Sequence, residues 1–147
     1  TIRWHMIGNI QRRKAPDVVS LFHCADAVDR VAVAEALQKR CEEQNKHLDI
    51  LLEVNVSGEE AKHGFAPENI HGVLKEVTHL DRLTVKGLMT MAPFVDDPET
   101  VRPVFRRLRE LTEAQGLPEV SMGMTNDFEV AIEEGATQVR IGTALFA

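Results

Sequence analysis

The sequence predicts an α/β protein, with six strands in a largely parallel sheet joined by crossover helices. Two observations carry this reading. Along all 147 residues, apolar runs of strand length alternate with segments of helical period, and no linker, low-complexity tract or short-period repeat interrupts them. Each crossover returns the chain in the same direction, which makes neighbouring strands parallel. A third observation concerns the far end, where SMGMTND (121–127) and VRIGT (139–143) read as two consecutive strand ends. The first runs through a glycine turn into a helix, whose start offers backbone N–H groups to an anion beside Thr125, Asn126 and Asp127. The second brings Gly142 and Thr143 to the same rim, and in a β/α barrel a phosphate site commonly lies at the ends of the last two strands.

In chain order, strands are predicted near residues 4–7, 21–24, 50–56, 83–89, 120–122 and 138–141. Asp29 is placed to cap a helix to about Asn45, in which Val31, Ala34, Leu37 and Cys41 recur at three- and four-residue spacing. Pro67 suits the first turn of a helix reaching about His79. Asp97 and Pro98 open another that stops at Gly116, and Pro103 within it either kinks the helix or marks its true start. A short helix over 127–134 follows the glycine turn and is closed by Gly135.

With 44% hydrophobic and 27% charged residues, the chain can bury the core of one ordinary domain. Seventeen Lys+Arg against 23 Asp+Glu give a net charge of -6, which argues against a general nucleic-acid binder. Any anionic ligand must then be held by local donors. Cys24 and Cys41 lie in no metal-like spacing and read as inert thiols of a reducing, cytoplasmic protein. No apolar run approaches a membrane span. His23, His47, His63, His71 and His79 form no metal-ligand spacing, and the Arg102, Arg106, Arg107 and Arg109 cluster, with Glu110 and Glu113, reads as a solvated helix face with i,i+4 pairs.

Strand alternation sorts the remaining polar positions. Arg140 opposes Val139 and Ile141, so it points at a ligand if its face is the interior, or else forms a structural ion pair at the strand end. Leu52, Val54 and Val56 suit the helix side, leaving Glu53 and Asn55 inside. His5 points away from Trp4 and Met6 and is either a ligand contact or a satisfied core histidine. Thr125 and Thr143, with the N–H groups of Asn126 and Gly142, are the expected phosphate donors, and Gly123 and Gly142 allow close backbone approach. Ser121 belongs either to that rim or to the sheet packing. Met89, Met91, Met122 and Met124 read as core filling at strand ends, with Met124 also available to a ligand's ring edge.

The strings WHMIG (4–8), EVNVS (53–57), KHG (62–64), GLMTMA (87–92), SMGMT (121–125), DFE (127–129), AI (131–132) and VRIGTALF (139–146) resemble the pyridoxal-phosphate homeostasis protein family, in its order and spacing and nearly end to end. The resemblance implies an incomplete TIM-type (β/α) barrel over residues 1–147, like the N-terminal domain of alanine racemase. It implies binding of pyridoxal 5′-phosphate (PLP) for intracellular storage and hand-over, without evident turnover. The implied cofactor contacts are Thr125, Asn126, Gly142 and Thr143 at the phosphate, with Gly123 and Ser121 beside them; Arg140 at the pyridine nitrogen; Met124 at the ring; and Asn55 and His5 nearby.

Members carry two further β/α units, and their first strand ends in the lysine that joins PLP covalently. Neither unit lies within this sequence, so the resemblance implies a truncated piece, non-covalent PLP binding and self-association through open sheet edges. PLP-dependent apo-enzymes are the implied recipients. Smaller departures are Thr125 for the usual Ser, Arg13 for the frequent Asn, and Pro16 inside what is normally a helix. Two alternatives are an alanine-racemase-like PLP enzyme and a barrel for another phosphorylated metabolite. The first needs a pair of proton-transferring bases, commonly Lys and Tyr, and the sequence contains no Tyr.

Overall fold

The structure is a computed structural model and describes residues 1–60 and 63–146. Its strands are β1 (His5–Met6), β2 (Cys24–Val28), β3 (Leu48–Glu53), β4 (Leu83–Met89) and β5 (Glu119–Ser121). They lie side by side in chain order, and every neighbouring pair is parallel. Helices α1 (Ala15–Leu21), α2 (Val31–Gln44), α3 (Ile70–Val77), α4 (Arg102–Ala114), α5 (Phe128–Glu133) and α6 (Thr143–Phe146) complete a half-barrel.

The two faces of the sheet are chemically distinct. Ile50, Leu52 and Leu88 pack outward against Val19, Leu37, Ile70, Phe105 and Leu108 of the helices, forming the main core. Burying a side chain such as Phe105 contributes about 1.5–3 kcal/mol. The inner face carries a small apolar cluster of Cys24, Ala27, Leu51 and Met89, and beside it the buried polar groups Asp26, Glu53, Ser121 and Arg140.

The sheet has five strands among the described residues, not the six expected. Residues 138–140 run beside β5, with bonds from Met122 N to Gln138 O (3.1 Å) and from Arg140 N to Gly123 O (2.9 Å), but form only one parallel bridge, Ser121 to Gln138. The chain turns into α6 at Thr143, three residues beyond Arg140, and the pairing with β5 does not extend past that single bridge.

The second strand is also displaced from its expected place at 21–24. Leu21 ends α1 and is 65% exposed, and the strand starts at Cys24. The apolar run before it was the inward face of a helix, since Val18 and Val19 are buried. The true strand, CADAV, holds a carboxylate and alanines of low strand propensity. It is kept in the sheet by partners on both sides.

Prolines sit where helices tolerate them. Pro16 and Pro103 both occupy first-turn positions, so α1 persists and Pro103 marks the start of α4. Asp97 accepts the Glu99 N–H (3.0 Å) and caps a short 3-10 turn ahead of that helix. Asp29 does not cap α2; its carboxylate lies 3.4 Å from Arg30 Nε and 3.2 Å from His63 Nδ1, while Asn45 ends the helix with a φ of 52°.

Candidate functional site

Three chain segments converge at the C-terminal rim of the sheet. The turn after β5 is shaped by Gly123, whose φ of 102° suits glycine and where a Cβ would stand 2.7 Å from that of Ala131. Glycine is required here by packing against α5, more than by ligand approach. Asp127 then accepts the Met124 N–H (2.8 Å), and Asn126 Nδ2 donates to the Val95 carbonyl (2.9 Å), tying the turn to the loop after β4. The N–H of Ala144 donates to Thr125 Oγ1 at 3.3 Å, which joins this turn to the start of α6.

The floor and walls of a cavity of about 760 Å³ follow from these contacts. Met124, Thr125, Asn126, Arg140, Gly142 and Thr143, each named from the sequence as a candidate cofactor contact, line it together with Ile7, Ala92, Phe94, Asp127 and Ile141. A Cβ added at Gly142 would meet nothing within 4 Å, so this backbone borders open space. Phe94, 86% exposed, was missed in the sequence because it lies in the loop after β4 with no motif of its own, and Ile7, though inside the WHMIG string, reads there only as part of a strand. A second cavity of about 400 Å³ adjoins the first through Ala92, Phe94 and Met124, and Asn55 and His63 line it.

Among the described residues Arg140 is the one cation of the lining, and it is buried. Its Nη1 donates to Ser121 Oγ at 2.5 Å and its Nη2 to the Thr90 carbonyl at 2.8 Å. Thr90 Oγ1 donates in turn to the Val54 carbonyl at 2.6 Å, which locks the end of β4 to that of β3. Burial pushes the Arg140 pKa down, opposed by the charges of Asp26, Glu53 and Asp127. A guanidinium starts so high that it keeps its proton regardless. Ser121 is thus a buried support beneath Arg140.

The network continues inward. Gln138 Nε2 donates to Asp26 Oδ2 at 2.6 Å and approaches Ser121 Oγ at 3.3 Å. His5 Nδ1 lies 3.0 and 3.1 Å from the two oxygens of Asp26, and the Cys24 thiol donates to Asp26 Oδ1 at 3.0 Å. His5 therefore sits at the far end of this chain of contacts, away from the cavity lining. Burial, followed by the hydrogen bond to Asp26, pushes the Cys24 thiol up, and burial does the same at Cys41. Asn55 uses its amide locally, donating to the Glu59 carbonyl (2.7 Å) and accepting the Gly58 N–H (3.1 Å).

A charged clamp holds α5 against α4. Arg102 donates to Glu134 (2.8 Å) and Glu133 (2.6 Å), and Arg106 donates to Glu134 (3.0 Å). Hydrogen bonds from Arg106 and then Arg102 hold the Glu134 carboxyl well below the usual range, at about 2. Of the arginine cluster expected as a solvated face, Arg109 does pair with Glu113 at i,i+4 (3.1 Å). Arg102 and Arg106 instead make tertiary contacts.

Comparison with known proteins agrees with this architecture. The family model described as alanine racemase, N-terminal domain, matches residues 2–147. The chain is 46% identical over 151 residues to the pyridoxal phosphate homeostasis protein of Aquifex aeolicus, covering 99% of this chain and 66% of that protein. It is 37% identical to the protein of the same name from Synechocystis, covering 99% of this chain and 69% of the relative. It thus spans about two thirds of the length of these relatives. The structure of PipY from Synechococcus elongatus with PLP bound superposes with a TM-score of 0.88 at 29% identity, over 99% of this chain and 71% of that one. With these matches running through nearly every residue, the chain belongs to the pyridoxal phosphate homeostasis protein family, within the alanine racemase N-terminal-domain family.

Proposed function

We propose that this chain binds PLP in the cavity at the sheet rim and serves intracellular PLP homeostasis, as a carrier or buffer of the cofactor. The observation that carries the reading is the convergence of Thr125, Asn126, Arg140, Gly142 and Thr143 on one cavity, in a chain similar to a protein known with PLP bound. The residues fit the group. Two hydroxyls and the backbone at Gly142, bordered by open space, suit a phosphate, while the partly exposed Met124 and Phe94 suit the faces and edge of an aromatic ring.

PLP supplies a reactive aldehyde on an electron-withdrawing ring. The side chains of this protein hold and orient that group. Arg140, kept charged and fixed from below, would be the donor to the pyridine nitrogen and would keep it unprotonated, making the ring a weaker electron sink. Such a site favours storage over broad catalysis. The names of the relatives, homeostasis proteins, support the same reading. Recipients would be PLP-dependent apo-enzymes, and the working compartment the cytoplasm; among the described residues no helix is long and apolar enough to cross a membrane.

Titration of the purified chain with PLP, followed by absorbance and equilibrium dialysis, tests the proposal. Saturable binding of one PLP, weakened by competing inorganic phosphate and by Thr125→Val, is expected. Binding that does not saturate, or that ignores both phosphate and the substitution, overturns it.

A further inference from the structure

We propose that His5, Cys24 and Asp26 form a binding site for one divalent transition-metal ion of the zinc type, on the inner face of the sheet. The three donor atoms all lie within 4.8 Å of one another. Asp26 Oδ1 is 3.0 Å from His5 Nδ1 and 3.0 Å from Cys24 Sγ. Ligand atoms around tetrahedral zinc, with bonds of about 2.0–2.3 Å, stand roughly 3.3–3.6 Å apart. Both pairs therefore need to open by only a few tenths of an ångström.

Strand pairing creates the cluster. Cys24 and Asp26 alternate onto one face of β2, and His5 on β1 is the register partner of Cys24. All three donors stand on rigid sheet, which is how a preorganised metal site is built. The linear spacing conceals it, because His5 is brought in from another strand. A thiolate, an imidazole and a carboxylate form a mixed set that suits zinc, whereas magnesium and calcium prefer oxygen alone.

The surroundings also suit an ion. Gln138 Nε2 donates to Asp26 Oδ2, orienting the carboxylate from outside and leaving Oδ1 turned toward His5 and Cys24. Cys24 and Asp26 are enclosed, while the His5 side chain is 25% exposed and gives an approach from solvent. On binding, the thiol proton leaves to solvent and the imidazole carries its proton on Nε2, so that Sγ and Nδ1 both turn lone pairs to the ion. Three protein ligands leave a fourth position for water or an external ligand.

The test is titration of the chelator-treated full chain with Co2+, followed by Zn2+ competition. One equivalent of cobalt should give a near-ultraviolet thiolate charge-transfer band and visible tetrahedral bands, all removed by zinc. Cys24→Ser should abolish the charge-transfer band, His5→Ala and Asp26→Asn should weaken binding about tenfold or more, and Cys41→Ser should change nothing. His5→Ala alters a half-buried residue of an edge strand. With a circular dichroism spectrum matching the parent, it decides the matter even if the two buried substitutions unfold the chain. Absence of a cobalt band at one equivalent, or a band that persists in Cys24→Ser or in folded His5→Ala, overturns the site.

Discussion

Arg140 and Ser121 are joined by a hydrogen bond of 2.5 Å, made where residues 138–140 run beside the end of β5. A second bond, to the Thr90 carbonyl beyond β4, fixes the other arm of the guanidinium at 2.8 Å. The cation is therefore oriented by the sheet itself. Arg140→Gln should shift the absorbance of bound PLP more than it weakens phosphate-dependent affinity, because it replaces the cation proposed to face the ring. Ser121→Ala should give a smaller shift in the same direction. Difference spectra at saturating PLP check this, and a loss of affinity with an unchanged spectrum would reverse the assignment.

Thr125→Val and Thr143→Val each remove a hydroxyl from the cavity wall. A hydrogen bond to a charged acceptor is worth about 1.5–3 kcal/mol, so each variant should bind PLP roughly tenfold to a hundredfold more weakly. Equilibrium dialysis provides the measurement. If both variants hold PLP as tightly as the parent, the phosphate lies elsewhere.

Covalent attachment is the third matter. Lys14, Lys39, Lys46, Lys75 and Lys86 are all absent from the lining of the main cavity, and Lys62 lies outside the described residues. Borohydride reduction of the PLP complex, with peptide mapping, should find no single lysine trapped stoichiometrically. Stoichiometric capture at one of the five described lysines would contradict the cavity as drawn, and capture at Lys62 would mean that the loop after β3 completes the site.

Acid should loosen the clamp between α4 and α5. Glu134 has a folded pKa of about 2, lowered from 4.5 by Arg106 and Arg102. A lowered carboxyl pKa adds stability that is fully present above the unfolded value and is lost as pH falls toward the folded one. Glu134→Gln should therefore destabilise the protein at pH 7, with an effect that shrinks between about pH 4.5 and 2. Urea unfolding of parent and variant across that range reads the trend. A constant difference would show that Glu134 acts through packing alone.

The β1 edge carries the last prediction. β1 pairs with β2 on one side, and among the described residues no strand pairs with its other side, while Ile2, Trp4 and Ile7 beside it are 67%, 55% and 51% exposed. An edge of this kind recruits a partner strand. Sedimentation at micromolar concentration should show self-association that Trp4→Lys reduces. A monodisperse monomer with protected β1 amides would mean that the edge is closed in another way.

How much of this was legible in the sequence depends on where the determinants lie. β4 falls on the 83–89 span that its apolar run marks, and the rim residues Thr125, Asn126, Gly142 and Thr143 follow from turn chemistry acting over a few positions. Asp26 was invisible, because a carboxylate inside a strand looks like a loop residue until His5, Cys24 and Gln138 supply its donors. The clamp was misread for the same reason. Arg102 and Glu134 are distant in sequence, so a helix-face pattern cannot reveal their contact. The missing sixth strand shows the reverse: local alternation at 138–141 is strand-like, but strand status also depends on neighbours.

The bond between Gln138 and Asp26 spans 112 positions of the chain in a sheet where every other pairing joins consecutive strands. Neighbour-to-neighbour pairing lets the sheet assemble piecewise, with modest loop-closure costs at each step. Residues 138–140 are seated by their neighbour β5, through the Ser121–Gln138 bridge and the bond from Arg140 N to Gly123 O, but the Gln138–Asp26 bond also needs β2 in place. Order of events thus follows from connectivity: the sheet first, and the bond that closes across its inner face last. Asp26 should therefore lose its Gln138 donor well before the sheet comes apart, which makes that one side-chain contact an early reporter of unfolding.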